Sequence, residues 1–307
     1  MSEETKIQWA DSTWNPWIGC TKVSPGCAYC YATWRWEKYW GKGVPRHRTS
    51  EAYGKAPARW NAEQIESGAV HHGAARPRIF PSLCDWLDEE VPIDWLADFL
   101  QVIHQTPHLD WLLLTKRPEN WRDRICAAME HHDKAWMHAG GARSVFGSWL
   151  GSWLEAASPE RGLDGKPPQN VSIGISAENQ EFWEARYLSF VRIPAIRRFV
   201  SLEPLLGAID CGADLLDCGG RPMVHWVIIG GESGPHARPC DVDWIRDIIG
   251  QCRVVGVPCF VKQLGRDPQW SAADIEARWD QIFSDPKGGN IAEWPLDLRV
   301  RQFPKSH

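Results

Sequence analysis

The chain has 307 residues, with 34 Lys and Arg against 39 Asp and Glu, for a net charge of −5. Its 43% hydrophobic and 24% charged residues are typical of a globular protein and exclude wholesale disorder. No run approaches the ~18 consecutive apolar residues of a membrane span, and the first residues contain no apolar signal core. We therefore expect a cytoplasmic protein with no membrane partner, large enough for one α/β domain or two small ones.

Apolar runs that end in polar residues recur along the chain, and helical patterns follow most of them. The first run is the opening segment Thr13–Ile18. Six more follow in chain order: Arg78–Ser82, Trp111–Thr115, Val171–Ser176, Arg198–Leu202, Trp226–Ile229 and Pro258–Lys262. The clearest helical patterns are Pro92–Gln105, Glu119–His131, Gln180–Val191 and Val242–Val255. This alternation predicts a parallel sheet covered by helices.

Seven repeating units are too many for one half of a Rossmann fold. They favour a full or partial (β/α) barrel of the TIM type, with a doubly wound parallel sheet as the alternative. Both architectures place functional residues at the carboxyl ends of the strands. We expect a single barrel domain over residues 1–265, interrupted by an insertion or lid at about 133–169, and a C-terminal extension over residues 266–307.

A metal-binding pattern follows the opening strand. Cys20, Cys27 and Cys30 lie within eleven residues on a loop that contains Gly and Pro. Three thiolates can hold a [4Fe–4S] cluster and leave one iron open for a small molecule. Zinc is the rival, with Cys84 or His47 as its fourth ligand. A redox pair would leave Cys20 unexplained, and a long cytosolic chain favours reduced thiols over a disulfide scaffold.

Polar or ionisable side chains follow every predicted strand. Lys116 and Arg117 could hold a carboxylate or phosphate of a ligand, or could form a salt bridge to Glu203 or Glu232 across the barrel opening. The other strand-end candidates are Ser82, Asp85, Glu178, Lys262 and Gln263. Glu178, together with Asn179, could instead cap the following helix.

The segment after the cysteines is basic and aromatic. Between Arg35 and Arg59, seven Lys or Arg stand against two Glu, a local excess of five positive charges. The aromatic residues in and around it are Trp34, Trp36, Trp40, Tyr53 and Trp60. Such a surface suits a nucleic acid or nucleotide, because phosphates pair with Lys and Arg and bases stack on rings. The alternative is an amphipathic helix with core tryptophans and solvated charges.

The segment from Trp14 to Tyr31 resembles the opening of a phage-associated family of unknown function that carries this three-cysteine (C-x6-C-x2-C) motif. Further blocks of that family are LLLTKRP at 112–118, SLEPLLG at 201–207, IGGESGP at 229–235 and FVKQ at 260–263. The resemblance covers nearly the whole chain outside the insertion. Cys27, Tyr29 and Cys30 are also similar to the second half of the radical S-adenosylmethionine (SAM) signature.

The resemblance to radical SAM proteins implies a (β/α) barrel with a [4Fe–4S] cluster at its opening and SAM on the open iron. An electron donor protein would supply the electron that cleaves SAM to methionine and a 5′-deoxyadenosyl radical, which abstracts hydrogen from the substrate. Expected contacts with SAM are Ser82, Asp85, Lys116, Glu203, Glu232 and Lys262, and expected contacts with substrate are Arg117, Glu178 and Gln263. Ser82 and Asp85 stand where radical SAM proteins carry a Gly-Gly-Glu.

The sequence thus predicts a radical-SAM-type enzyme that modifies or repairs a nucleobase or nucleic acid. The residues also allow two other functions. One is a metal-stabilised nucleic-acid-binding protein without catalysis, and the other is a zinc hydrolase with Cys ligands and a Glu base. The sequence identifies no catalytic residue, substrate or product.

Overall fold

The computed structural model describes residues 5–68, 75–138, 144–158, 164–277, 279 and 283–305. The strands, in chain order, are β1 (Ser12–Thr13), β2 (Trp17–Ile18), β3 (His47–Arg48), β4 (Arg78–Phe80), β5 (Asp110–Thr115), β6 (Val171–Ser176), β7 (Arg197–Leu202), β8 (Trp226–Gly230), β9 (Cys240–Asp241), β10 (Cys259–Gln263) and β11 (Pro268–Gln269). Seven of them form one parallel sheet in the order β1-β4-β5-β6-β7-β8-β10. The parallel sheet predicted from the alternating pattern is therefore confirmed.

The helices are α1 (Tyr31–Trp40), α2 (Glu51–Gly54), α3 (Ala56–Glu66), α4 (Ile93–Gln105), α5 (Trp121–His138), α6 (Val145–Glu155), α7 (Gln180–Val191), α8 (Val242–Val255) and α9 (Ala272–Glu276). The Asn179 side chain accepts a hydrogen bond from the Phe182 backbone N–H and caps α7, as its position before the helix predicts. In the described ranges, no helix has both the length and the apolar character needed to cross a membrane.

The strand order of the sheet follows the chain without reversal, and the sheet curls into a half-barrel. In the described residues its edge strands β1 and β10 are not paired with each other, so a full barrel is not formed. The arrangement is compatible with both architectures expected from the sequence, a partial (β/α) barrel and a doubly wound sheet. We call the carboxyl ends of β4–β8 and β10 the mouth of the half-barrel.

Both faces of the sheet are buried. Along β5, Trp111 and Leu113 pack into the large core beneath the helices, whereas Leu112 joins a second cluster on the opposite face. No described helix contributes a residue to that second cluster. The indole of Trp9 lies there, 4.5 Å from the Phe80 ring between centroids. Burial on both faces explains why the strands are continuous apolar runs and not alternating ones.

The predicted opening strand Thr13–Ile18 is wrong as one element. β1 pairs with β4 in the main sheet, whereas β2 pairs antiparallel with β3 in a separate two-stranded sheet. Pro16 lies between them and has no N–H to donate to a strand ladder. The buried side chain of Asn15 accepts a hydrogen bond from the Leu83 backbone N–H at 2.6 Å. These two residues break the strand.

The described part of the insertion belongs to the helical layer. Helix α6 packs against α4 and α5. The Trp153 ring on α6 stacks on Trp86, with 6.2 Å between centroids and 5° between planes, and both rings are fully buried. This helix therefore contributes to the core. Residues 139–143 and 159–163 of the insertion lie outside the described residues.

The C-terminal extension packs along the sheet edge. The Val261 N–H donates to the Val300 carbonyl, and the Gln302 N–H donates to the Cys259 carbonyl, each at 2.8 Å. Residues 300–302 therefore run beside the outer edge of β10. The Phe303 ring then lies 4.5 Å from the Arg78 guanidinium on β4, so the extension reaches across the amino-terminal end of the half-barrel.

Candidate functional site

The loop with the three-cysteine motif, residues 19–30 and hereafter the cysteine loop, is anchored at the mouth. The Gly26 N–H donates to Glu178 Oε1 at 3.2 Å, and Glu178 follows β6. The Pro25 carbonyl accepts a hydrogen bond from Arg238 Nη1 at 2.9 Å, and Arg238 follows β8. The loop is thus fixed to the end of the sheet where the charged residues lie.

The three cysteines are free thiols on this loop. Cys20 Sγ lies 3.9 Å from Arg117 Nη1, and Cys27 Sγ lies 3.6 Å from Ser24 Oγ. Among the described residues, no group of three or more His, Cys, Asp or Glu side chains is placed to hold a metal ion. The donor chemistry fits an iron–sulfur cluster, since three thiols share one anchored loop. The side chains would have to turn toward one centre to bind it.

The environments of the thiols differ. Burial, and then the negative charge of Asp85, raise the pKa of Cys20 to about 12. Burial also acts to raise the pKa of Cys27, but the Val23 backbone N–H and the positive charge of Lys116 outweigh it, and that pKa is lowered. Cys27 is therefore the readier of the two to ionise and bind a metal.

The two alternative zinc ligands have other surroundings. Burial, and then the neighbouring Cys20, raise the pKa of Cys84 well above its usual value. The His47 ring lies on β3, where its Nδ1 is 3.2 Å from the Pro45 carbonyl and its centroid is 5.3 Å from the Trp40 ring. Cys84 is thus near the cysteine loop, but neither residue completes a metal site in the described part of the chain.

Glu178 is fully buried and both of its oxygens are used. Oε1 accepts from Gly26, while Oε2 accepts from Lys116 Nζ at 2.9 Å and from Arg186 Nη1 at 3.0 Å. Burial raises the pKa of this carboxyl, but the charge of Lys116, a hydrogen bond from Ser24 and the charge of Arg186 outweigh it and lower the pKa to about 2. Glu178 is therefore ionised, and its contacts anchor the cysteine loop.

Asp85 and Arg117 form a second buried pair. Asp85 Oδ2 accepts from Arg117 Nη1 at 2.8 Å, and Oδ1 accepts from Thr115 Oγ1 at 2.7 Å. Arg117 also donates to the Thr21 carbonyl in the cysteine loop. Burial lowers the pKa of the guanidinium, but the charges of Asp85 and Asp88 outweigh it and raise the pKa. The pair holds the start of the loop.

The alternative salt bridges of Lys116 and Arg117, to Glu203 or Glu232, are wrong. In the described residues Lys116 pairs with Glu178, and Arg117 pairs with the acidic segment after β4. Neighbouring strand ends meet at shorter range than strands on opposite sides of the mouth, which accounts for these partners.

The other side of the mouth holds Glu203, Glu232, Lys262 and Gln263. Lys262 Nζ donates to Glu203 Oε1, and these side chains are 20% and 18% exposed. Glu232 is buried and pairs with Arg238 at 2.6 Å. Gln263 is buried and donates to a backbone carbonyl in the loop after β8. Glu203 and Lys262 are therefore more accessible to a ligand than the other two.

Ser82 is in contact with the motif through its backbone. Its carbonyl accepts a hydrogen bond from the Tyr31 hydroxyl at 2.7 Å, and Tyr31 directly follows Cys30. Of the site residues, sequence reasoning missed Tyr31, Arg186 and Arg238. Arg186 lies three residues after Trp183 on the buried face of α7, and a cation there needs a counter-charge. Arg238 lies in an irregular segment that gives no such signal.

The basic and aromatic segment is divided between core and surface. Four of its cations form ion pairs: Arg46 with Asp88, Arg48 with Asp98, Lys55 with Glu51 and Arg59 with Glu63. Trp60 is buried, as the alternative of core tryptophans predicts, whereas Trp34 and Trp40 are exposed. The part of the segment on α1 is therefore the part open to a ligand.

Comparison with known proteins identifies one family. The sequence model of the family DUF5131, described as "protein of unknown function", matches residues 4–288 of the chain. No curated protein and no solved structure matches the chain. The phage association and the relation to radical SAM proteins stay predictions. Because the match spans nearly the whole sequence, the chain belongs to the DUF5131 family, and the expected membership of a family of unknown function is confirmed.

Proposed function

We propose that this protein is an iron–sulfur enzyme of the radical SAM type, in which Cys20, Cys27 and Cys30 hold a [4Fe–4S] cluster at the mouth. The observation that carries the proposal is the anchoring of a loop with three free thiols over the strand ends. Parallel α/β sheets place their chemistry at this end. When bound, such a cluster supplies the electron that cleaves SAM and so starts hydrogen abstraction from a substrate.

Two cations of the mouth face the cysteines. Arg117 Nη1 lies 3.9 Å from Cys20 Sγ, and the charge of Lys116 lowers the pKa of Cys27, although burial acts against it. Thiolate ligands bring negative charge into a site that is largely shielded from water. Nearby cations and N–H donors stabilise that charge and tune the metal centre. Lys116 and Arg117 thus support the cysteine ligands in this proposal.

The partly exposed pair at the mouth is suited to a polar ligand. Glu203 accepts hydrogen bonds and would hold a ribose hydroxyl of SAM, while the Lys262 ammonium would hold its carboxylate. Their mutual ion pair keeps both side chains at the mouth before the ligand arrives. Asp85 and Glu178 have their oxygens committed to protein donors, so they position the site around the ligand.

Anaerobic purification tests the cluster. We expect a brown protein with broad absorbance near ~400 nm, typical of thiolate–iron charge transfer. The changes Cys20→Ala, Cys27→Ala and Cys30→Ala should each abolish this colour, whereas Cys218→Ala at an exposed position should keep it. A colourless protein that contains zinc, or a cluster that survives Cys30→Ala intact, would overturn the ligand assignment.

The enzymatic part of the proposal has its own assay. The brown protein is incubated with SAM and dithionite, and 5′-deoxyadenosine is measured. Glu203→Gln and Lys262→Met should weaken SAM binding and leave the absorbance of the cluster unchanged. Absence of 5′-deoxyadenosine under strict anaerobiosis, with the cluster intact, would favour a metal-stabilised binding protein and refute the enzyme.

A further inference from the structure

Helix α1 directly follows the cysteine loop and has an unusually open surface. None of its ten residues is buried. Trp34, Tyr39 and Trp40 are 54%, 60% and 40% exposed. Aromatic side chains of this size usually bury most of their surface in a core. Within the described residues, these rings therefore form an aromatic surface without a covering element.

Positive charges lie against these rings. Lys38 Nζ is 4.7 Å from the centroid of Trp34, and the Arg35 guanidinium is 5.7 Å from that of Tyr39. In the described part of the chain, no carboxylate lies within ion-pair distance of Arg35, Lys38 or Lys42. These three cations differ from the paired ones farther along the segment. They are available to an anionic ligand beside the exposed rings.

A further exposed ring stands near the mouth and is close to α1 in the chain. Tyr29 precedes the helix, its ring is exposed, and it lies 5.7 Å from the His236 ring between centroids. The Arg238 guanidinium is 5.3 Å from the Tyr29 centroid and also holds the cysteine loop. Tyr29 stands two residues before α1 in the chain, and its exposed ring lies against Arg238, whose charge is paired with Glu232. We call the surface formed by residues 29–42 with His236 and Arg238 the α1 platform.

We infer that the α1 platform binds single-stranded nucleic acid and leads it to the mouth, which deepens the proposed function by naming its substrate class. Exposed rings offer stacking faces to unpaired bases, and the cations between them pair with phosphates. Bases of a duplex are already stacked and cannot lie on these rings. An acidic protein would match the cations but would leave the stacking faces without a planar partner. On and just after α1, Arg35, Lys38 and Lys42 stand against Glu37, a local excess of two positive charges in a chain whose net charge is −5.

Fluorescence anisotropy with a labelled 20-nucleotide oligothymidylate tests the inference on the full chain. A 20-base-pair duplex and poly-glutamate serve as competitors. Trp34→Ala should weaken binding at least about fivefold, the lower end for loss of one stacked base. Lys38→Ala should weaken it and reduce its dependence on salt. The matched controls are Leu188→Ala and Lys287→Ala, which remove an exposed apolar side chain and an exposed cation elsewhere, and they should bind like the unchanged protein.

Several results would overturn the inference. One is an affinity for the duplex equal to that for the single strand. A second is the same loss of oligonucleotide affinity in Lys287→Ala as in Lys38→Ala, and a third is no oligonucleotide binding by the folded protein. Competition by poly-glutamate alone would point to an acidic protein partner and would overturn it as well. The assay is run with and without the cluster, so the two proposals fail separately. Binding without colour or 5′-deoxyadenosine would refute only the proposed enzyme, and colour without binding would refute only the α1 platform.

Discussion

The change Glu178→Gln tests the anchor of the cysteine loop. Gln has almost the same shape and keeps an oxygen for the Gly26 N–H, but it removes the negative charge that Lys116 and Arg186 share. The pKa of Glu178 is about 2 in the folded chain, against an ordinary value of 4.5. Each pKa unit corresponds to about 1.4 kcal/mol, so the charge stabilises the fold by about 3 kcal/mol at neutral pH.

The pH dependence follows from the direction of this difference. Because the pKa of Glu178 is lower in the folded state, its stabilisation is fully present above pH 4.5 and is lost as the pH falls toward 2. We expect the variant to lose about 3 kcal/mol at pH 7 and less than half of that at pH 3. Urea unfolding under reducing conditions, followed by tryptophan fluorescence, measures both values.

The control for this change is Glu66→Gln at the exposed end of α3, which should alter stability by less than about 0.5 kcal/mol. Hydrogen exchange supplies a local measurement, since the Gly26 amide should exchange faster in the Glu178 variant. Two results would refute the reasoning. One is an unchanged free energy of unfolding at pH 7, and the other is a loss that stays undiminished at pH 3.

Two further positions test the packing of the protein. Gly231→Ala would place a Cβ 2.2 Å from the Leu264 carbonyl oxygen, so we expect the free energy of unfolding in urea to fall by about 3 kcal/mol. The control is Gly250→Ala on α8, where no heavy atom lies within 4 Å of the new Cβ, and this change should raise the free energy of unfolding by about 0.5–1 kcal/mol. A neutral Gly231 variant would contradict the close approach. Trp153→Ala removes the ring stacked on Trp86 and should lower the free energy of unfolding by about 3–5 kcal/mol. Trp153→Phe keeps a ring and should be less stable than the unchanged protein but more stable than Trp153→Ala. An equally small effect of both Trp153 variants would show that α6 is not part of the core.

The sheet was predictable because its signal is local. Each strand is an apolar run long enough to be seen by itself, and burial on both faces makes the run continuous. The prediction of one continuous opening strand is wrong because Pro16, which has no N–H to donate to a strand ladder, lies inside the apolar run. The sequence does not predict the packing of α6 into the core, because the stacking of Trp153 on Trp86 joins residues far apart in the chain.

The charged residues of the mouth were predictable as a set, but their pairing was not. Their position after each strand is a property of the sequence, whereas their partners depend on which strands are neighbours. Lys116 pairs with Glu178 because β5 lies beside β6. Arg238 comes from an irregular segment after β8 and reaches the cysteine loop across space. No spacing rule predicts such a contact.

The extension along β10 has a consequence for self-association. An edge strand with free N–H and C=O groups is a template on which a strand of another molecule can pair, and this is a common route to aggregation. Here residues 300–302 pair with β10 and occupy the position that a strand of another molecule could otherwise take. Residues 300–302 therefore cover this edge of the sheet, and a variant without them would expose β10 to pairing with another molecule.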